Sequence, residues 1–139
     1  MKQEFYELIL KTNGQNLYEI TNETLSWIKK NNFSNGLLNI SILHTSASLI
    51  IQENADPDVK IDLLNYFNKL VPMNTKDYIH TTEGKDDMPA HIKSAITNNQ
   101  ISLSVKNKNL LLGSWQGIYL FEHRIHSQQR KILFHFIGD

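Results

Sequence analysis

"GLLNISILHTSASLIIQEN", residues 36–54, decides how this chain folds. Leu38, Ile40, Ile42 and His44 recur at every second position, so one side of an extended strand is apolar and ends in an imidazole. "TSAS" is small and polar and reads as a turn, and "LII" resumes as a second strand. The period then changes. In "DPDVKIDLLNYFNKLV" Asp56 is placed as an N-cap and Pro57 takes the first helical position. Val59, Leu63, Leu64, Phe67 and Leu70 supply an apolar helix face, and Pro72 ends it.

Upstream, "EFYELIL" reads as a strand. A helix follows within "GQNLYEITNETLSWIKKNN", with Thr21 as its cap, Leu25 and Ile28 as its stripe, and Lys29 and Lys30 at its negative end. Downstream, Asp86 or Asp87 can cap a helix with Pro89 in its first turn and Met88, Ile92, Ala95 and Ile96 as the apolar stripe. The remainder is β: "ISLSV", a "KNKN" turn, "LLLGSW", "QGIYLFEHR" and "KILFHFIG". Helices and runs of strands without strict alternation predict an α+β fold with a largely antiparallel sheet. At 139 residues the chain is the size of one domain, spanning 1–139.

Composition narrows the function classes. Fourteen basic residues balance fourteen acidic ones, so no net field recruits nucleic acid or an anionic membrane. The basic stretches "KK" (29–30) and "HRIHSQQRK" (123–131) are short and lack interleaved aromatics. Cysteine is absent, which excludes disulfides, thiolate metal sites and a cysteine nucleophile, and fits a reducing cytosol. "MKQEFYELIL" lacks the long apolar core and cleavage site of a signal peptide. The longest uncharged run, near residues 36–51, is too polar and too short to span a bilayer. A cytoplasmic protein is expected.

The polar residues each allow a functional and a plain structural reading. His44 ends an apolar strand face, as a site residue or as a cap bonded to backbone. His91 lies four residues after Asp87, so both share a helix face, where the carboxylate can fix the imidazole tautomer; surface pairs at this spacing are also common. His123 sits on a strand face with Tyr119 and Phe121, the pattern of a satisfied core histidine, while Glu122 and Arg124 face the other way. His80 falls in a loop segment, "YIHTTEG", and His126 and His135 read as structural or solvated. Three neutral imidazoles converging from separate elements would form an open metal site. Glu83, Lys85, Asp86 and Asp87 form either a solvated cap or part of that site. In "GSWQG", Trp115 and Gln116 make either a β-turn or a pocket floor, and "HTSAS" offers hydroxyls and N–H groups to an oxyanion. No phosphate loop, dinucleotide fingerprint or nucleophile elbow is present.

Three segments, "HTSASLIIQENADPDV" (44–59), "HTTEGKDDMPAHIKSAI" (80–96) and "LLLGSWQGIYLFEHR" (110–124), together resemble the YjbQ family, often labelled secondary thiamine-phosphate synthases. Ser114 stands where the family usually has threonine, which keeps a hydroxyl. The resemblance implies two packed, mostly antiparallel sheets, a β-sandwich with flanking helices, and a homotrimer. It implies a divalent metal ion, zinc or magnesium, on His44, His91 and His123, with His80 in reserve. Asp87 would orient His91, and Glu83 or Asp86 would act as general base. Thr45, Ser46 and Arg124 would grip the phosphate of a small phosphorylated metabolite, beside a pocket holding Trp115 and Gln116. The implied activity joins hydroxymethylpyrimidine diphosphate to thiazole phosphate, giving thiamine phosphate and pyrophosphate, as a secondary activity. The alternative is a trimeric module that binds a metal or anion without turnover.

Overall fold

The computed structural model describes the backbone of residues 1–139 and every side chain except that of Thr75. In chain order the elements are β1 (Lys2–Asn13), β2 (Asn16–Glu19), α1 (Thr21–Lys30), β3 (Gly36–Ile42), β4 (Ala47–Glu53), α2 (Pro57–Leu70), a 3-10 turn (Thr75–Asp77) and α3 (Asp87–Ile96). The chain finishes with β5 (Gln100–Lys106), β6 (Asn109–Leu110), β7 (Gln116–Glu122) and β8 (Ser127–Gly138). The strands form a five-stranded sheet in the order β1-β8-β3-β5-β6 and a three-stranded sheet in the order β2-β7-β4. All pairings within both sheets are antiparallel. The α+β fold expected from the pattern is observed, and so is the two-sheet sandwich that the resemblance implies.

Alternation explains the packing. Leu38, Ile40 and Ile42 of β3 point inward beside Ile132, Phe134 and Phe136 of β8 and Leu103 and Val105 of β5. They meet Leu49, Ile118 and Leu120 from the smaller sheet, together with Ile28 of α1, in the main core. The other face of the small sheet carries Leu17, Tyr119 and Phe121, which Leu63, Leu64 and Phe67 of α2 cover. Strand β7 is therefore buried on both faces, and Gly117 to His123 are all inaccessible.

Three local expectations are corrected. Thr21 is the first residue of α1 and not its cap: its hydroxyl donates to Glu19 and accepts the Ile118 N–H, tying the helix start to β7. "LLLGSW" yields only the two-residue β6, and Trp115 lies 65% exposed in the following turn. The stripe predicted for α3 is rotated: Asp87, Pro89, Ala90 and Lys93 are buried, while Ile96 is exposed. That helix sits against β4, where Ser94 donates to the Ala47 carbonyl, and its buried face includes the charged Asp87 and Lys93.

Candidate functional site

Glycine opens the site. Gly84 has φ +106°, a left-handed conformation that turns the chain between Glu83 and Lys85 at no steric cost. The turn leads into α3, where Asp87 and His91 share one side at four-residue spacing, and Glu83 stands just before the turn. His80 reaches back from the preceding loop. One donor atom from each of His80, Glu83, Asp87 and His91 lies within 4.8 Å of the others. The carboxylate of Asp87 is the hub: its Oδ2 is 2.7 Å from His80 Nε2 and 3.1 Å from His91 Nε2. Glu83 Oε2 stands 3.2 Å from His80 Nε2 and is mostly exposed.

Residues outside the cluster lock it in place. Arg124 donates from Nη1 to Asp87 Oδ1 at 2.6 Å, from Nε to Asp86 Oδ2 at 2.9 Å and from Nη2 to the Glu83 carbonyl at 3.0 Å. Asp86 is buried and also accepts the Ile125 N–H, so its carboxylate ties α3 to the β7–β8 turn instead of capping the helix. Burial works against ionisation of Asp87, yet the His80 hydrogen bond and the Arg124 guanidinium hold its carboxyl below the usual range. Burial is likewise outweighed at Asp86, by the Ile125 N–H and Arg124. The bond to Asp87 raises His80 above an ordinary imidazole.

His91 carries the decisive detail. Its Nδ1 lies 2.9 Å from the Thr45 carbonyl oxygen. A carbonyl only accepts, so Nδ1 holds the hydrogen and, in the neutral ring, Nε2 presents a lone pair. That lone pair faces the ionised Asp87 Oδ2 at 3.1 Å. Two acceptors at this separation repel unless a cation or a proton lies between them. A histidine whose far nitrogen is tied to a backbone carbonyl is also the usual posture of a metal ligand.

The structure does not bring the expected metal set together: of His44, His91 and His123, only His91 lies in the cluster. His123 is buried beneath α3, with Nε2 2.9 Å from Ser48 Oγ and Nδ1 unpartnered. Burial and the Lys93 and Arg130 charges push it down to about 3, so it stays a neutral core residue. His44 accepts the Lys131 N–H on Nε2 at 2.8 Å, and burial with the Arg130 and Lys131 charges lowers it. It is bonded to backbone, the structural reading of the two. Trp115 and Gln116 are at the other end of β7, where the Gln116 side chain accepts the Gly113 N–H in a turn. Thr45 is exposed beside His91, and Ser46 Oγ accepts from Arg130 at 3.1 Å. Arg124, with one donor of each nitrogen on Asp86, Asp87 and the Glu83 carbonyl, is a clamp on the cluster. Sequence reasoning undervalued His80, although its spacing of three to Glu83 was visible, and it missed the buried Glu122–Arg130 pair.

Comparison with known proteins fits this picture. The UPF0047 protein YjbQ of Salmonella typhimurium is 52% identical over 98 residues, covering 70% of each chain. A UPF0047 protein of Synechocystis sp. is 44% identical over 132 residues, covering 95% of this chain and 90% of its own. A crystal structure of a YjbQ/UPF0047 family protein from Clostridium acetobutylicum superposes with a TM-score of 0.87 at 35% identity, covering 95% of this chain and 99% of that one. A YbjQ-like protein of unknown function from Sulfolobus solfataricus shares the fold at a TM-score of 0.86 and 19% identity, covering 99% of this chain and 100% of that one. The thiamine-phosphate synthase activity implied by the resemblance is thereby overturned, because these relatives are named only as UPF0047 proteins and the Sulfolobus protein is described as of unknown function. A family model described as UPF0047 protein YjbQ-like matches residues 6–139, and the chain belongs to the YjbQ (UPF0047) family.

Proposed function

We propose that His80, Asp87 and His91 hold a divalent metal ion, with Glu83 beside it as the exposed carboxylate that takes up a proton. The supporting observation is the His91 ring, whose Nδ1–H is spent on the Thr45 carbonyl while its Nε2 faces the Asp87 carboxylate. Two imidazoles and a carboxylate suit zinc or a neighbouring transition metal better than magnesium, which prefers oxygen ligands. When bound, such an ion supplies Lewis-acid chemistry, polarising an oxygen of substrate or water. The chain does the rest. Arg124 keeps Asp87 ionised and aimed, Thr45 fixes His91, and the exposed Thr45 and half-buried Ser46 hydroxyls can donate to an anionic group of a small cytosolic metabolite.

Metal content by plasma mass spectrometry tests this directly, on untagged protein equilibrated with zinc and then dialysed. About one ion per chain is expected for the wild type and none for His91→Ala. Equal content in both, or none in either, sinks the assignment.

We further propose a homotrimer. Phe5, Ile9, Leu37, Leu43 and Ile137 are exposed on the outer face of the large sheet, and β1 leaves one edge unpaired. Native mass spectrometry showing only monomer would remove this proposal.

A further inference from the structure

Glu122 and Arg130 are out of place in a core. Glu122 is fully buried and Arg130 is 3% exposed, at the β7–β8 end of the sandwich. Arg130 Nη2 is 2.7 Å from Glu122 Oε2, and its Nε donates to both carboxylate oxygens at 2.9 and 3.1 Å. Thr12 of β1 donates to Glu122 Oε1 at 2.9 Å, so the carboxylate is satisfied. A buried pair of this kind generally stabilises no better than apolar residues of the same volume, so stability alone does not explain it.

What the pair touches beyond the sheet frame is the β3–β4 turn. Arg130 Nη2 donates to the Ser46 carbonyl and to Ser46 Oγ, both at 3.1 Å. Ser46 follows Thr45, whose carbonyl accepts from His91 Nδ1. A chain of contacts therefore runs from Glu122 through Arg130 and the 45–46 backbone to the imidazole. Arg124, on the same β7–β8 connection, grips Asp87 from the other side. The crossing from β7 in one sheet to β8 in the other supplies no donor to the cluster, yet it braces two residues that do.

We infer that the buried Glu122–Arg130 pair is a positioning device for the cation cluster, holding the Thr45 carbonyl where it sets the tautomer and direction of the His91 ring. This rests on the metal-site reading above for its purpose, and on the contacts alone for its geometry. Neither residue touches the cluster. Both act through the 45–46 backbone.

The variant that separates positioning from folding replaces both partners, Glu122→Leu with Arg130→Met, leaving no charge unpaired in the core. The probe is Co2+, titrated by its visible absorption, alongside long-range 1H–15N spectra of the metal-free protein that report which ring nitrogen of His91 carries the hydrogen. The double variant is expected to melt near the wild-type temperature, to bind Co2+ about tenfold or more weakly, and to show a mixture of His91 tautomers in place of Nδ1–H alone. Should the double variant fail to fold, Glu122→Gln with Arg130→Gln serves instead. The amide at 130 extends only as far as the arginine Nε, which bonds residue 122 and not Ser46, so the same two losses are expected. A folded variant with Co2+ affinity within about twofold of wild type and an unchanged His91 spectrum overturns the inference. If the wild type itself binds no Co2+, the cation reading fails, and the His91 spectrum alone decides whether the pair positions the ring.

Discussion

Helices α2 and α3 invite comparison, because both were foreseen but only the face of α2 largely holds, Leu70 at its end being exposed. In α2, Asp56 accepts the Asp58 N–H at 2.9 Å, Pro57 leads the helix, and Leu63, Leu64 and Phe67 pack on Leu17, Tyr119 and Phe121. In α3, the expected apolar stripe gives way to Asp87, Ala90 and Lys93, and the Lys93 ammonium donates to Asn68 of α2 at 2.6 Å. Apolar periodicity locates the face that water rejects. It is blind to a face buried for its polar contacts, and that blindness marks a place where the sequence serves something other than the core. α2 belongs to the fold, and α3 carries the candidate site.

The comparison breaks most easily at Asp87. Asp87→Ala removes the hub of the cluster and leaves Arg124 short of a counter-charge; Co2+ binding should vanish, with a stability loss of about 3 kcal/mol by urea titration. Retained binding would return α3 to the fold.

Acid tests the ground beneath α3. His123 is depressed to about 3 in the fold and titrates near its ordinary value of 6.5 when unfolded. The unfolded chain therefore binds a proton that the folded chain refuses, and stability falls as pH drops from about 6 toward 3, by up to about 1.4 kcal/mol per unit. Urea titrations at pH 6 and pH 4 should show this slope for wild type and a shallower one for His123→Gln. Parallel slopes would mean that His123 protonates in place.

On the α2 side, Phe67→Ala removes a ring set edge-on to Phe121 at 5.2 Å and should cost about 2 kcal/mol with Co2+ affinity unchanged. A large change in affinity would show that α2 also supports the site. Asp56→Ala should cost only about 1 kcal/mol, the worth of an N-cap, again without effect on binding.

The sandwich was legible because alternation is local: Leu38, Ile40 and Ile42 announce a half-buried strand whatever its partner is. Part of the site was legible for the same reason, since Asp87 and His91 share a helix face by spacing alone. The rest depends on where strands end in space. Arg124 looked turned away by strand alternation, but it lies beyond the last residue of β7, where alternation no longer applies, and it bonds Asp86 and Asp87. His44 and His123 invited a metal because they are histidines in the recognised motifs. Only the contacts reveal that a Lys131 N–H and the Ser48 hydroxyl already occupy one nitrogen of each.

The candidate donors all fall between His80 and His91, and this has a consequence for how the protein comes into being. A site gathered from distant strands exists only after folding, whereas these groups are neighbours along the chain and can meet across a short loop at little entropic cost. On the proposed metal site, the unfolded chain would keep some affinity for the ion, and added metal would raise the melting temperature by less than the native affinity suggests. The same closeness would let such an ion gather the first turn of α3 before either sheet has closed, an early part in folding for a group proposed for chemistry.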